Sequence, residues 1–162
     1  MLRLTLALLP LLSGCAGTFL AQSELGYGVG PREGGPRHSG DLALHIGMSD
    51  VQGVALGASI KARVWGGNDM SGPQFGPHVV LMVEEDKGYA FYTRLLGTLG
   101  PALIDGEPAG LVTASVSPGF LFYIDRETAN AISVSAIAEV HGGSEAQVWF
   151  GLNVGIAVGG IR

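Results

Sequence analysis

An all-β fold is what this sequence predicts: an antiparallel up-and-down meander of seven or eight strands, closed as a small barrel, with a β-sandwich as the alternative. Three observations carry the prediction. After Gly40, apolar residues recur at every second position over most of the chain, the period of a strand and not of a helix. Turn signals separate these runs at hairpin spacing. Glycine supplies 27 of 162 residues, well above the ~7% of ordinary proteins, and long runs of strong helix formers are absent.

The elements follow in order. In Asp41 to Met48, Leu42, Leu44, Ile46 and Met48 share one face, opposite Ala43, His45 and Gly47. From Gln52 to Trp65, Val54, Leu56, Ala58, Ile60, Ala62 and Val64 oppose Ala55, Gly57, Ser59, Lys61, Arg63 and Trp65. Gly76-Pro77 punctuates the chain, and His78 to Glu85, apolar on both faces, reads as a covered strand. Glu85-Asp86-Lys87-Gly88 is a hairpin signal leading into Tyr89 to Leu96, and Asp105-Gly106 is a second turn. Gly110 to Ile124 alternates again, with Pro118-Gly119 marking a bulge or an edge. Ala131 to His141 sets Ile132, Val134, Ala136, Ala138 and Val140 against Ser133, Ser135, Ile137, Glu139 and His141. The last run sets Val148, Phe150, Leu152, Val154, Ile156 and Val158 against Trp149, Gly151, Asn153, Gly155 and Ala157.

The amino-terminal segment has a different character. One cation, Arg3, precedes the apolar stretch Leu4 to Leu12, and small residues follow. That is the layout of a secretory signal peptide, too short in its apolar part for a spanning helix of ~20 residues. Leu12-Ser13-Gly14-Cys15, which contains the sole cysteine, resembles the lipobox of bacterial lipoproteins at all four positions. The resemblance implies acylation of Cys15 and cleavage before it. The thiolate is the nucleophile such a transfer needs, and two or more acyl chains anchor stably where one does not. Ala16, in place of Asp, implies the outer membrane by resemblance to the enterobacterial sorting rule. An ordinary cleavage after Ala21 is the alternative, but it places the bulky Phe19 where a small residue is wanted. The expected division is a signal peptide over 1–14, a lipidated Cys15 with a Gly/Pro-rich tether over 15–40, and one β domain over 41–162. Residues 16–40 contain seven glycines and two prolines, which as a flexible chain span about 25–30 Å. Leu25, Tyr27 and Val29 alternate with small residues, so this part alternatively forms a first strand.

Loss of residues 1–14 removes Arg3 and leaves eight cations against 14 anions, a net charge of −6. Such a surface repels phosphate backbones, so nucleic acid is excluded as a partner. Membrane lipid, reached through Cys15, is the expected partner, with outer-membrane or envelope proteins as further candidates. Charged residues make up 14% of the chain, against about 25% in ordinary domains.

The strand faces opposite the apolar ones are rich in Gly, Ala, Ser and Thr and poor in long polar side chains. Small side chains suit the crowded lumen of a narrow barrel whose apolar faces meet lipid. On these grounds, over about 120 residues, the body resembles the small eight-stranded outer-membrane barrels. It departs from them in ending Val158-Gly159-Gly160-Ile161-Arg162, without the terminal aromatic residue usual there. The other orientation turns the apolar faces inward and makes a lipid-tethered body in water.

No catalytic motif stands out. His38, His45, His78 and His141 lie more than four residues apart, without closed ligand spacing, which leaves His45, Glu139 and His141 across neighbouring strands as the one metal candidate. Gly26-Tyr27-Gly28-Val29-Gly30 fails as a dinucleotide fingerprint, because Pro31 and Glu33 follow where Gly is needed. Ser144 lacks the second Gly of a nucleophile elbow, and Ser59 lies two residues from Lys61, not three. Glu84-Glu85-Asp86 reads as a solvated turn and not a calcium loop. Tyr89, Phe91, Tyr92 and Arg94 read as strand packing or as interface aromatics. The first functional expectation is therefore an outer-membrane lipoprotein with a non-catalytic structural or binding domain and no cofactor. The second is an integral barrel with a side-chain-filled lumen, and the third an enzyme working at the barrel mouth.

Overall fold

A computed structural model describes residues 18–31, 35–49, 53–66, 69–85, 88–125, 130–142 and 146–160. The signal peptide, Cys15, Asp86 and Ser144 lie outside these residues. The strands are β1 (Thr18–Gly30), β2 (Arg37–Ser49), β3 (Val54–Trp65), β4 (Met70–Ser71), β5 (Gln74–Glu85), β6 (Tyr89–Ile104), β7 (Glu107–Asp125), β8 (Asn130–Gly142) and β9 (Gln147–Gly160). All pairings are antiparallel. Around the ring β1 meets β2, β2 meets β3, β3 meets β5, and β5 to β9 follow in sequence. β9 then returns to β1, from Phe19↔Gly160 to Val29↔Phe150. The sheet therefore closes as a barrel of eight long strands and is not a sandwich. The two-residue β4 fits beside the short end of β5, where Met70 pairs with Val64 of β3 and Leu103 of β6.

The alternation read from the sequence sets the two faces, and the apolar set turns outward. Leu42, Leu44, Ile46, Leu56, Ile60, Leu95, Val116, Val134, Leu152 and Ile156 are exposed on the outer wall. Their neighbours in sequence, among them Asp41, His45, Ser59, Lys61, Arg63, Arg94, Ser117, Ser133 and Asn153, are buried in the lumen. Of the two orientations the sequence left open, the inward one is thus corrected: small and polar side chains fill most of the narrow lumen, and most of the large aliphatic ones stand on the outer wall.

Four local expectations also change. The segment drawn as a tether is largely strand, because β1 starts at Thr18 and β2 at Arg37. The β1 glycines are packing space and not slack: a Cβ at Gly30 would enter the indole of Trp149, and one at Gly26 would strike Asn153. Gly76-Pro77 lies inside β5, where Pro77 pairs with Ala58 of β3 and the ladder to β6 skips both residues. Pro118 likewise lies inside β7, pairing with Thr93 on one side, and the bulge falls instead between Tyr123 and Asp125. Finally, Tyr92 and Arg94 face inward, whereas Phe91 faces outward in a ring cluster with Tyr89, Phe120 and Phe122. The turn at Asp105-Gly106 is as expected: both residues have positive φ, 52° and 81°, the tight hairpin geometry that Asp-Gly favours.

The two kinds of glycine give a direct test. Gly30→Val must displace Trp149 and is expected to cost about 1–3 kcal/mol by overpacking. Gly40→Val meets nothing within 4 Å on the outer wall and is expected to be neutral or mildly stabilising. Urea unfolding of the two variants checks the contrast.

Candidate functional site

The lumen is layered. At the end where β1 begins and β9 ends, Ala55, Val80, Ala90, Tyr92, Leu121, Ala131 and Ala157 form an apolar plug. At the opposite end Trp65, Ala102, Leu111 and Trp149 form a second. Between them, among the described residues, lie three carboxylates, Glu24, Asp41 and Glu139, and three cations, Lys61, Arg63 and Arg94, each buried. Their charges balance, as burial without counter-ions requires.

Two clusters divide these groups. In the first, Arg94 Nη1 donates to Glu24 Oε2 at 2.7 Å and Nη2 donates to Glu24 Oε1 at 3.1 Å and Gln22 Oε1 at 2.6 Å. Gln22 Nε2 and Tyr92 OH also donate to Glu24 Oε1, at 2.7 and 3.3 Å. In the second, Arg63 binds Asp41 and Glu139, and Lys61 Nζ binds Glu139 and approaches Asp41 Oδ2 at 3.5 Å. Arg63 also lies over the Trp149 ring, 5.9 Å from its centroid. Both main pairs are cross-braces. Glu24 on β1 and Arg94 on β6 stand four strands apart in a ring of eight, and so do Lys61 and Arg63 on β3 and Glu139 on β8. The two diameters cross at roughly a right angle. Short facing side chains, including Ser117, Ser133 and Ser135, leave room for these long ones.

The four histidines separate. His38 faces outward and stacks on Tyr27 at 5.8 Å between ring centroids. His141 joins Glu139 and stacks on Trp149 at 5.2 Å. His45 belongs to the other cluster, with Nε2 at 3.2 Å from Glu24 and 2.8 Å from Arg94. The metal candidate of His45, Glu139 and His141 is therefore not assembled: Glu139 and His141 meet, and His45 does not join them. Among the described residues no set of three ligating side chains could hold a metal.

One arrangement escaped sequence reasoning. His45 Nδ1 lies 2.7 Å from Ser59 Oγ, which lies 2.8 Å from His78 Nδ1, so Glu24, His45 and Ser59 are aligned in the order of a hydrolytic triad. A self-consistent proton assignment runs the other way: Arg94 donates to His45 Nε2, His45 Nδ1–H to Ser59, and the Ser59 hydroxyl to His78. Ser59 is 2% exposed, and the adjoining cavity lined by His45, His78 and Arg94 measures about 10 Å³, room for about one water. The arrangement thus satisfies buried polar groups. Ser59→Ala would leave imidazole nitrogens without a partner and is expected to cost about 1–3 kcal/mol, measurable by urea titration.

No protein-family model matches the chain, and no curated protein does. Solved structures do. Neisserial surface protein A is similar with a TM-score of 0.64 at 10% identity, over 88% of this chain and 98% of that one. The outer membrane enzyme PagL matches with 0.57 at 13%, over 82% and 97%. Ail, the attachment invasion locus protein of Yersinia pestis, matches with 0.51 at 12%, over 87% and 98%. At such identities the likeness is one of fold, and this chain has the fold of the small eight-stranded outer-membrane barrels.

Proposed function

We propose that the chain is an integral outer-membrane barrel with a side-chain-filled lumen, a structural or binding element of a bacterial envelope that neither catalyses nor conducts. The observation that carries the reading is the outer wall, apolar on all eight long strands while charges point inward. Soluble monomers rarely expose apolar patches beyond about 300–600 Å², and here the apolar surface encircles the molecule. Strands of 12 to 19 residues exceed the ~9–11 that cross a bilayer. Two apolar plugs above and below a neutralised charge layer argue against a pore, since an ion entering would have to pass both. The fold shared with outer-membrane proteins supports that membrane as the location.

Acylation of Cys15 belongs to the same proposal and rests on the lipobox. β1 begins three residues after Cys15, so acyl chains there would enter the bilayer beside the barrel wall, without a long tether. Cleavage after Ala21 would instead remove the start of β1, including partners of Ser49 and Gly160. A Cys15→Ala chain carrying an ordinary signal peptide tests the main reading. It is expected to stay with membranes after alkaline carbonate and to migrate differently on gels before and after boiling. A soluble product would overturn insertion in favour of a lipid-tethered body, and mass spectrometry of the mature amino terminus reads the acylation itself.

A further inference from the structure

We infer that the outer wall carries a seat for one acyl chain of a bilayer lipid, on the arc formed by β2, β3, β5 and β6. The inference rests on the bilayer-inserted reading. A groove of about 480 Å³ lies on that arc. Leu44 and Ile46 form one bank, Phe75 and Leu99 the other, and Ala58 and Gly76 line the groove between them, with Ile60 beside them. The volume falls in the range of about 300–1,000 Å³ typical of small-molecule sites.

The depression is built into the chain. Outward positions on β3 alternate large and small, Leu56, Ala58, Ile60 and Ala62, so Ala58 is a low point next to its paired neighbour Ile46. On the other side Ala58 pairs with Pro77, next to Gly76. Gly76 cannot gain a side chain, because a Cβ there would run into the Gly97 carbonyl of β6. Gly76, paired with the inward-facing Ser59, therefore stays bare against β6, and the low outward side chain at this point of the wall is that of Ala58.

The chemistry of the lining selects the occupant. No charged residue lines the groove. Ser59, which contributes to it, turns its hydroxyl into the lumen, where His45 and His78 hold it. A headgroup would find no partner. A protein partner would cover one arc and leave the rest of an encircling apolar wall exposed, whereas hydrocarbon covers all of it, and the groove is continuous with that wall. The occupant that fits is a hydrocarbon tail.

The test uses the full mature chain in phosphatidylcholine nanodiscs, with a small fraction of the lipid carrying a diazirine in its acyl chain. After photolysis, peptide mass spectrometry is expected to find label on the segments holding Ala58 and Phe75 at least threefold above that around Val134 and Leu152 on the far wall. Ala58→Trp, which fills the groove, should bring this label down to the level of the far wall and leave the rest unchanged. Leu99→Ala, which removes a bank, should lower the enrichment as well. Even labelling around the barrel, or enrichment that survives both substitutions, would overturn the seat while upholding insertion. Absence of label on every strand would overturn insertion itself, and the seat with it.

Discussion

Arg94→Met is expected to destabilise the barrel by about 3–5 kcal/mol, the cost of leaving a buried charge without its partner. Arg94 supplies three of the hydrogen bonds around Glu24 and Gln22, and both residues of the pair are 2% exposed. What remains near Glu24 is Gln22, Tyr92 and Asn153, which donate hydrogen bonds but bring no permanent positive charge. Adding Glu24→Gln to the same chain should recover at least half of the loss, because the orphaned carboxylate is then gone. Urea unfolding in vesicles, followed by the gel shift between folded and unfolded forms, measures all three variants. A double variant no more stable than Arg94→Met alone would show that packing, and not charge, sets the cost.

The second large effect lies on the outer wall. Leu95 stands near the middle of β6, faces outward and pairs with Val79 and Val116 on the adjoining strands. In the inserted barrel proposed above, Leu95→Arg places a guanidinium in the hydrocarbon layer and is expected to cost about 2–4 kcal/mol in a bilayer. Ile124→Arg, next to the last residue of β7 and 71% exposed, should cost only about 0–1 kcal/mol. The depth dependence is the diagnostic part. On a body in water both substitutions would be nearly neutral, since each places a charge on an exposed surface.

Alternation made most of this architecture readable in advance. In β3 and β8 each residue's assignment to one face or the other follows from a strict period of two, and the structure keeps those faces. The side that meets water or lipid was not readable, because alternation is silent about sign. The small size of the inner residues was the available signal, and it pointed the right way. β1 was obscured by its composition: Gly26, Gly28 and Gly30 look like a linker until Asn153, Ser39 and Trp149 are seen to occupy the space above them. The charge network was out of reach for another reason. Glu24 and Arg94 are 70 residues apart, and Arg63 and Glu139 are 76 apart, so ring closure and not local pattern brings them together. A sequence clue did exist, in that Glu24, Asp41, Lys61, Arg63, Arg94 and Glu139 all fall on the faces opposite the aliphatic ones.

The crossed diameters bear on how long the molecule lasts. Groups that meet across the full width of the lumen can join only after β9 has docked on β1, so an open, partly curled sheet gains nothing from them. Contacts absent at the crest of the folding barrier leave the forward rate almost untouched and slow the reverse one. The braces therefore act as a brake on escape: once closed, the cylinder is expected to reopen more slowly than one without them.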